Sequence, residues 1–250
     1  MSDSAASPVA GLLARVRAVG WRRGLLAGLA VAVVAPALWV AAYRVAPPPG
    51  TLTMLERKLS GDVINHPWTP LEEISPHLVR AVIAGEDSRF CLHRGIDFDA
   101  IEDALDEAEK GRRLRGASTI SQQTAKNAFL WNGGGFFRKG LEAGYTVVME
   151  ALWPKRRIME VYLNVAEWGD GHFGAEAAAQ ARFGKAAKDL TPYEAAQLAA
   201  VLPSPNKWRL DPPGPYVRRR AATLRQRMDI VARDGLDACV LGASEKAGRP

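Results

Sequence analysis

Two acidic residues, Glu86 and Asp87, follow a stretch of sequence whose pattern predicts a buried helix. The apolar residues within 78–84 have the spacing of a buried helix face. Ser75 followed by Pro76 predicts where this helix begins, because serine caps helix N-termini and proline is favoured at the first helical position. A carboxyl group that is partly withdrawn from water holds its proton more tightly, as a general base requires. Glu86 is therefore the candidate general base.

An acidic pair at a helix end is, on its own, more often a solvated terminus than a catalytic site. A second polar stretch, residues 116–127, offers hydroxyls and amides followed by the ammonium of Lys126. Such groups can bind a sugar diphosphate, although the same residues could equally cap the beginning of a helix.

A third cluster places two cations, Arg138 and Lys139, shortly before an acid, Glu142, in a helix predicted over residues 137–153. Arg138 and Glu142 are four residues apart and so face the same side of the helix. This spacing is also typical of a surface ion pair, which contributes little to stability. The cations could instead neutralise a diphosphate.

The three clusters, in this order, resemble the motifs of the peptidoglycan glycosyltransferases, specifically the monofunctional biosynthetic transglycosylases that polymerise lipid II. The matching residues are Glu86, Asp87, Phe90, His93, Gly95, Asp97, Gly116, Ser118, Thr119, Ile120, Gln122, Gln123, Lys126, Asn127, Arg138, Lys139 and Glu142. The resemblance covers about residues 51–213 and continues through Lys155, Ile158, Glu160, Tyr162, Leu163, Asn164, Gly169, Gly171, Gly174, Phe183, Gly184 and Lys185. Arg182 departs from the family pattern, which usually has an aromatic residue there.

The resemblance implies a mainly α-helical fold, a lysozyme-like glycosyltransferase domain with a small membrane-proximal subdomain and one N-terminal transmembrane helix. It also implies an inverting transfer of lipid-linked disaccharide-peptide units with release of a polyprenyl diphosphate. Glu86 would be the base and Glu142 the second essential acid, facing it across a cleft. The residues expected to bind the substrate or the polymer are Asp87, Ser118, Gln123, Lys126, Asn127, Arg138 and Lys139.

Two roles remain open for Glu142: it could stabilise the developing sugar cation, or it could hold a divalent ion, Mg²⁺ or Mn²⁺, at the diphosphate. No protein metal site is otherwise expected. His93 is expected to support the shape of its loop. The partners implied are lipid II, the nascent glycan strand, the membrane and other proteins of cell-wall synthesis or division.

Residues 24–43 carry no charge and match the length of about 20 residues that a helix needs to cross a membrane. A cleaved signal peptide is the alternative. Four arginines (Arg15, Arg17, Arg22 and Arg23) against Asp3 give a net +3 before the span, which keeps the N-terminus in the cytoplasm. We therefore expect a single-pass protein of the bacterial inner (cytoplasmic) membrane with its catalytic domain on the outer side.

The expected organisation has five parts. It runs from a cytoplasmic tail (1–23) through the transmembrane helix (24–43) and a proline-rich linker (44–50) to the glycosyltransferase domain (51–215) and a C-terminal helical tail (216–250). The net charge of +6 leaves only +3 beyond the anchor, which argues against a nucleic-acid partner. The clustered cations at 112–115, 126, 138–139 and 155–157 suit a diphosphate or an anionic membrane surface, whereas those at 218–220 suit a solvated helix face.

The sequence also predicts the local structure of several segments outside the three clusters. Residues 51–70 could be a strand or irregular, and Asp97 is expected to cap a helix ending near Gly111. The segment 129–137 is expected to dip into the membrane through Trp131, Phe136 and Phe137; the alternative is a glycine turn with these aromatics folded into the domain. Cys91 and Cys239 could pair after export, but a buried thiol is the favoured state of Cys91.

Two other functions share part of this pattern. A lytic, wall-cleaving enzyme would also need a buried acid, but it would not need cations for a diphosphate. The acids at both Glu86 and Glu142 argue against a membrane-anchored binder of wall precursors, because a pure binder gains nothing from two uncompensated carboxylates near a diphosphate.

Overall fold

The computed structural model describes residues 8–111 and 118–242, and within these ranges the chain is built from helices, with isolated bridges as the only β pairing. Asp3, Gly116 and the arginines at 112, 113 and 115 lie outside the described residues. The helices are α1 (Pro8–Val45), α2 (Leu52–Leu59), α3 (Pro76–Glu86), α4 (Phe98–Glu109), α5 (Ile120–Phe129), α6 (Gly135–Leu152), α7 (Lys155–Val165), α8 (Ala175–Phe183), α9 (Pro192–Val201), α10 (Pro215–Arg233) and α11 (Ala238–Leu241). Short 3₁₀ turns span Leu71–Glu73 and Ala187–Asp189. The predicted mainly α-helical class is confirmed.

Helix α3 lies at the centre of the core. Its residues Leu78, Val79, Val82 and Ile83 have no exposed surface, because α3 packs against both α9 and α10. Helix α5 packs against α6 and α7, and α2 rests on α5. The C-terminal end of α3 meets α5 through the hydrogen bonds of Asp87 with Ile120 N and of Glu86 with Gln123, where the reactive residues of the first two clusters come together.

The predicted helix starts are confirmed. The Ser75 hydroxyl accepts a hydrogen bond from His77 N, and the Asp97 carboxylate accepts one from Ala100 N. Thr119 with Gln122, and Thr191 with Glu194, form capping boxes in which each side chain bonds the other residue's backbone N–H. The stretch 118–127 is therefore both a capped helix start and a row of polar groups.

Residues 51–70 were expected to be extended or irregular, and this prediction is wrong for their first half. Thr51 accepts a hydrogen bond from Met54 N at 3.2 Å and begins α2. A helix this short depends on tertiary packing for its stability, and burial of Thr53 and Met54 supplies that packing. The sequence pattern alone does not reveal it.

The last turns of α1 are fixed to the domain. Trp153 Nε1 donates a hydrogen bond to Val40 O at 2.9 Å, and the Arg157 guanidinium donates to Tyr43 O at 2.9 Å and Ala46 O at 2.8 Å. The arginine donors satisfy carbonyls that the helix end leaves free, and the arginine charge suits the negative end of the helix dipole. The apolar segment Arg23–Val45, with a mean hydropathy of 2.3, is long and apolar enough to cross a membrane. It contains the expected span 24–43.

The segment 129–137 divides into a buried and an exposed part. Phe129 stacks on Tyr145 with ring centroids 5.0 Å apart and is 2% exposed, so it belongs to the buried part. Trp131 is 39% exposed. Phe136 and Phe137, by contrast, are 98% and 74% exposed. Positive φ angles at Gly133, Gly134 and Gly135 make the turn, and α6 begins two residues earlier than predicted.

Helix α10 begins at Pro215, where the catalytic domain was expected to end, and packs into the same core through Val217, Ala221, Leu224, Met228 and Val231. Beyond it, Cys91 and Cys239 form a disulfide with Cα atoms 5.6 Å apart. The prediction of a free buried thiol at Cys91 is therefore wrong. Arg80 and Asp237 add an ion pair of 2.7 Å at the same junction.

Candidate active site

Glu86 is the last residue of α3, and its side chain is 11% exposed. Gln123 Nε2 donates a hydrogen bond to Glu86 Oε2 at 3.1 Å, and Arg220 Nη2 lies 3.4 Å from Glu86 Oε1. Burial raises the pKa of the Glu86 carboxyl, and nearby Asp87 adds to this; the Gln123 hydrogen bond and the Arg220 charge oppose the rise. The carboxyl group is thus adjusted towards the proton affinity of a base that works near neutral pH.

The orientation of the Gln123 amide is set by a buried tyrosine. Tyr162 Oη donates to Gln123 Oε1 at 3.3 Å, which leaves the amide nitrogen to face Glu86. Burial, together with the charges of Glu86 and Asp87, raises the pKa of Tyr162 well above its usual value. The hydroxyl therefore remains protonated and can only donate to the amide oxygen in this arrangement.

Asp87 lies under the site and holds three segments together. Its carboxylate accepts hydrogen bonds from Ile120 N at 2.9 Å and from His93 Nε2 at 3.0 Å. His93 Nδ1 accepts from Gly95 N at 3.1 Å, so the ring proton belongs on Nε2. The supporting role predicted for His93 is confirmed. Asp87 is 8% exposed, and these contacts position the start of α5 and the loop that contains His93. Its contact with substrate stays a prediction.

Glu142, the second expected acid, is 3% exposed and is paired with two cations. Arg138 Nη1 donates to Glu142 Oε2 at 2.6 Å, and Lys139 Nζ forms an ion pair with Glu142 Oε1. Lys139 also donates to Ser118 Oγ at 3.2 Å. The premise of an uncompensated Glu142 is therefore wrong, and the Arg138 pair is mostly buried instead of being an exposed surface pair.

Lys126 adds a third cation to this group. In the described ranges its ammonium makes no hydrogen bond or ion pair. Burial lowers the pKa of Lys126, Glu142 and Glu167 oppose that shift, and the charges of Arg138 and Lys139 add to it. These electrostatic contacts show that the cations form one group, which we call the cation cluster: Lys126, Arg138 and Lys139. Asn127, which is expected to bind substrate, follows Lys126 in α5 and is half-buried.

Glu167, which sequence reasoning missed, lies behind Lys126. Its carboxylate accepts from Arg57 Nη2 and from Asn206 Nδ2, each at 2.9 Å. The glycine turn that follows is tightly packed, since a Cβ at Gly169 would lie 2.7 Å from the Pro205 carbonyl oxygen. Arg182, the departure from the family pattern, pairs with Asp170 of this turn at 2.6 Å.

A cavity of about 250 Å³ opens beside Glu86 between the end of α3, α4 and α10. Ser118 and Arg227 contribute to its lining. Arg220 and Arg227 are separated by two helical turns of α10 and so face the same side, next to the buried Leu224. The expectation that residues 218–220 form a solvated face is wrong for Arg220. The apolar period of α10 carried this signal in the sequence.

A divalent ion at the diphosphate does not fit the side chains near Glu142. Both of its carboxylate oxygens are engaged by Arg138 and Lys139, and a further ammonium is close by. The ligand atoms of Asp87, His93 and Asp97 do lie within 4.8 Å of one another. However, Asp87 and His93 bond to each other, while Asp97 caps α4. We derive no step through a metal.

Comparison with known proteins decides the family. The profile of a family described as Transglycosylase matches residues 53–234, from α2 to the end of α10. The chain belongs to the transglycosylase family. The match confirms the expected lysozyme-like fold and the assignment to a glycosyl-transferring enzyme, and it includes the helix that carries Arg220 and Arg227.

Three relatives in this family are each described as a biosynthetic peptidoglycan transglycosylase. The protein from Rhodospirillum centenum is 59% identical over 231 residues, which is 92% of this chain and 96% of the relative. The protein from Caulobacter vibrioides is 51% identical over 88% of this chain and 96% of its own length. The protein from Pseudomonas aeruginosa is 53% identical over 78% of this chain and 87% of its own length.

Proposed function

We propose that this chain polymerises the glycan strands of peptidoglycan from lipid II, the lipid-linked disaccharide-peptide precursor. One observation carries this proposal: α5 links a mostly buried carboxyl group to the cation cluster. Gln123 of α5 contacts Glu86, and Lys126 follows three residues later, about 4.5 Å along the helix axis. A base and a cationic site linked by one helix suit the transfer of a sugar from a diphosphate to a hydroxyl group.

In this reaction Glu86 takes the proton of the acceptor sugar hydroxyl while the hydroxyl oxygen attacks the anomeric carbon of the donor. The bond between that carbon and the diphosphate oxygen breaks on the opposite face, so the configuration inverts. The polyprenyl diphosphate leaves with added negative charge. Lys126, Arg138 and Lys139 offset that charge in a site partly shielded from water.

Glu142 acts in this scheme by holding cations in place. Its contacts with Arg138 and Lys139 fix two long side chains that would otherwise lose conformational freedom when the diphosphate binds. Ser118, just before α5, contacts this group through its hydrogen bond from Lys139, whereas Asn127 in the body of α5 stays a predicted substrate contact. We favour this role over direct stabilisation of the sugar cation, because both carboxylate oxygens of Glu142 are already engaged.

We also propose a single-pass topology in the bacterial inner membrane, with a cytoplasmic N-terminus and the catalytic domain on the outer side. The apolar stretch of α1 and the arginines that precede it support this topology. The Cys91–Cys239 disulfide supports an oxidising compartment for the domain. Lipid II and the nascent strand are the proposed partners, together with the membrane; partners from division or elongation stay a prediction.

A lytic enzyme that cleaves wall strands is the second candidate. It would use Glu86 as an acid, but it has no need for the cation cluster. Because Glu142 is paired with Arg138 and Lys139, two uncompensated acids no longer argue against a non-catalytic binder. Turnover is therefore what separates a binder from an enzyme.

The test uses purified full-length protein in detergent with labelled lipid II, and separately with labelled preformed glycan strands. We expect polymer and released polyprenyl diphosphate from lipid II, while the preformed strands keep their length. Shortened strands would favour the lytic enzyme. Lipid II that is bound but unconverted would favour the binder.

A further inference from the structure

Within the described ranges, Lys126 is the one member of the cation cluster without a direct contact to an acid. Arg138 and Lys139 both contact Glu142, whereas the Lys126 ammonium makes no hydrogen bond or ion pair with the described residues. Lys126 is half-buried, and its flexible side chain loses conformational freedom when it binds a diphosphate. A group that restrains this ammonium before the substrate binds would reduce that loss.

Glu167 has one carboxylate oxygen that is not engaged. Arg57 Nη2 and Asn206 Nδ2 both donate to Glu167 Oε1, each at 2.9 Å. In the part of the chain that the structure describes, Oε2 makes no hydrogen bond or ion pair. The side chain is only 17% exposed, so water replaces such a contact poorly. A cation beside Oε2 would complete the set of partners.

The position of Glu167 indicates that Lys126 is this cation. Glu167 follows the end of α7 by two residues, and α7 packs against α5, which carries Lys126. The charge of Glu167 acts on the Lys126 ammonium and opposes the lowering of its pKa by burial. The other charged groups that act on Lys126 lie in α6, namely Arg138, Lys139 and Glu142. Both oxygens of Glu142 are engaged by its own two cations, which leaves Glu167 for Lys126.

The turn that follows Glu167 is itself fixed. Asn206, which donates to Glu167, accepts a hydrogen bond from Asp170 N at 2.9 Å, and Arg182 pairs with the Asp170 carboxylate at 2.6 Å. Asp170 has a φ of 53°, an uncommon value for a residue other than glycine, and these two contacts hold it there. Glu167 is therefore a fixed carboxylate that can restrain a flexible lysine.

We propose that Glu167 is a positioning residue that keeps the ammonium of Lys126 charged and in place while no diphosphate is bound. The inference rests on the proposed function and adds a residue from outside the three sequence clusters to it. When the donor binds, its diphosphate carries more charge than the carboxylate and takes over the ammonium. When the polyprenyl diphosphate leaves, the ammonium returns to Glu167.

The first experiment removes the charge of Glu167 in the full-length protein. Glu167→Gln keeps the size of the side chain, and Arg57 retains Asp62 as a counter-charge at 3.1 Å, so the variant should fold. Without Glu167, burial lowers the pKa of Lys126 with less opposition. Because Lys126 must be protonated to offset the leaving charge, the basic limb of kcat/KM against pH for lipid II should move to lower pH.

Asp170→Asn is the matched control. It removes a negative charge from the same turn, and asparagine tolerates the left-handed φ at this position. We expect Asp170→Asn to keep the basic limb of wild type. A basic limb for Glu167→Gln that superimposes on that of wild type, or an equal shift in both variants, would overturn the proposal.

A second experiment titrates Lys126 directly by NMR. The lysines of the full-length protein in detergent receive isotope-labelled dimethyl groups, which preserve their charge, and Lys126→Arg identifies the Lys126 signal. The titration midpoint should lie at lower pH in Glu167→Gln than in wild type or Asp170→Asn. An unchanged midpoint would show that Glu167 does not act on Lys126. Because this readout needs no turnover, it separates failure of the pairing from failure of the proposed polymerisation.

Discussion

Gln123 donates a hydrogen bond to Glu86 across 3.1 Å, and this contact joins the second polar stretch of the sequence to the first. A hydrogen bond to a carboxylate favours its charged form and so lowers its pKa. Gln123 therefore limits the rise that burial causes in the pKa of Glu86. The first prediction follows from removing this contact.

Gln123→Leu should raise the pKa of Glu86 further. Because the base must be deprotonated, the acidic limb of the profile of kcat/KM against pH should move to higher pH, and activity near neutrality should fall. Tyr162→Phe should cause a smaller shift in the same direction, since it only frees the amide. Gln180→Leu, at an exposed position of α8, serves as the control. A profile for Gln123→Leu that superimposes on that of the control would contradict the assignment.

Arg220→Met should also move the acidic limb to higher pH, because the arginine charge opposes the raised pKa of Glu86. Arg219→Met is the matched control: it removes the same charge from the neighbouring, exposed position of α10. We expect only Arg220→Met to shift the profile. If the two variants give the same profile, Arg220 does not act on Glu86.

How much of this site the sequence could predict depends on the range of the interactions. Ser75, Asp97 and Thr191 were predicted as helix caps because a cap involves residues within one turn. Arg220 reaches Glu86 because α10 packs on α3, and Cys239 reaches Cys91 from α11, which packs on α7. In both cases the partner lies more than 130 residues away in the chain. The pairing of Glu142 with Arg138 was visible in the spacing, but its burial was not.

Glu142→Gln should destabilise the folded protein by about 2–3 kcal/mol, because Arg138 and Lys139 would remain in a partly buried site without their counter-charge. Urea unfolding of the full-length protein in detergent measures this. The double variant Arg138→Met with Glu142→Gln should recover part of the lost stability but not the activity. An unchanged free energy of unfolding for Glu142→Gln would show that the pairing contributes little.

Phe136 and Phe137 should contact lipid in the membrane-bound protein, since both are largely exposed at the beginning of α6. A photoreactive side chain at either position should crosslink to vesicle lipid. The same side chain at Phe98, which is 73% exposed at the beginning of α4, provides the comparison. Equal crosslinking at Phe98 and Phe137 would mean that exposure alone explains the result.

Glu86 should also cost the folded protein stability. Folding raises the pKa of Glu86, so its charged form destabilises the folded protein at pH values above the ordinary carboxyl pKa of about 4.3. This cost disappears as the pH falls below that value. Glu86→Gln should therefore raise Tm at neutral pH, and the gain should vanish in acid. A lower Tm at neutral pH would contradict the raised pKa.

The most direct test of the central claim is the rate of glycan polymerisation from labelled lipid II by purified Glu86→Gln. The account predicts a loss of at least about 10²-fold, the lower end of what a general base contributes, with lipid II still bound. Asp87 is not a suitable comparison because it supports the fold, so Glu109→Gln, at the exposed last residue of α4, provides the control. Turnover of the Glu86→Gln protein close to that of wild type would contradict the account.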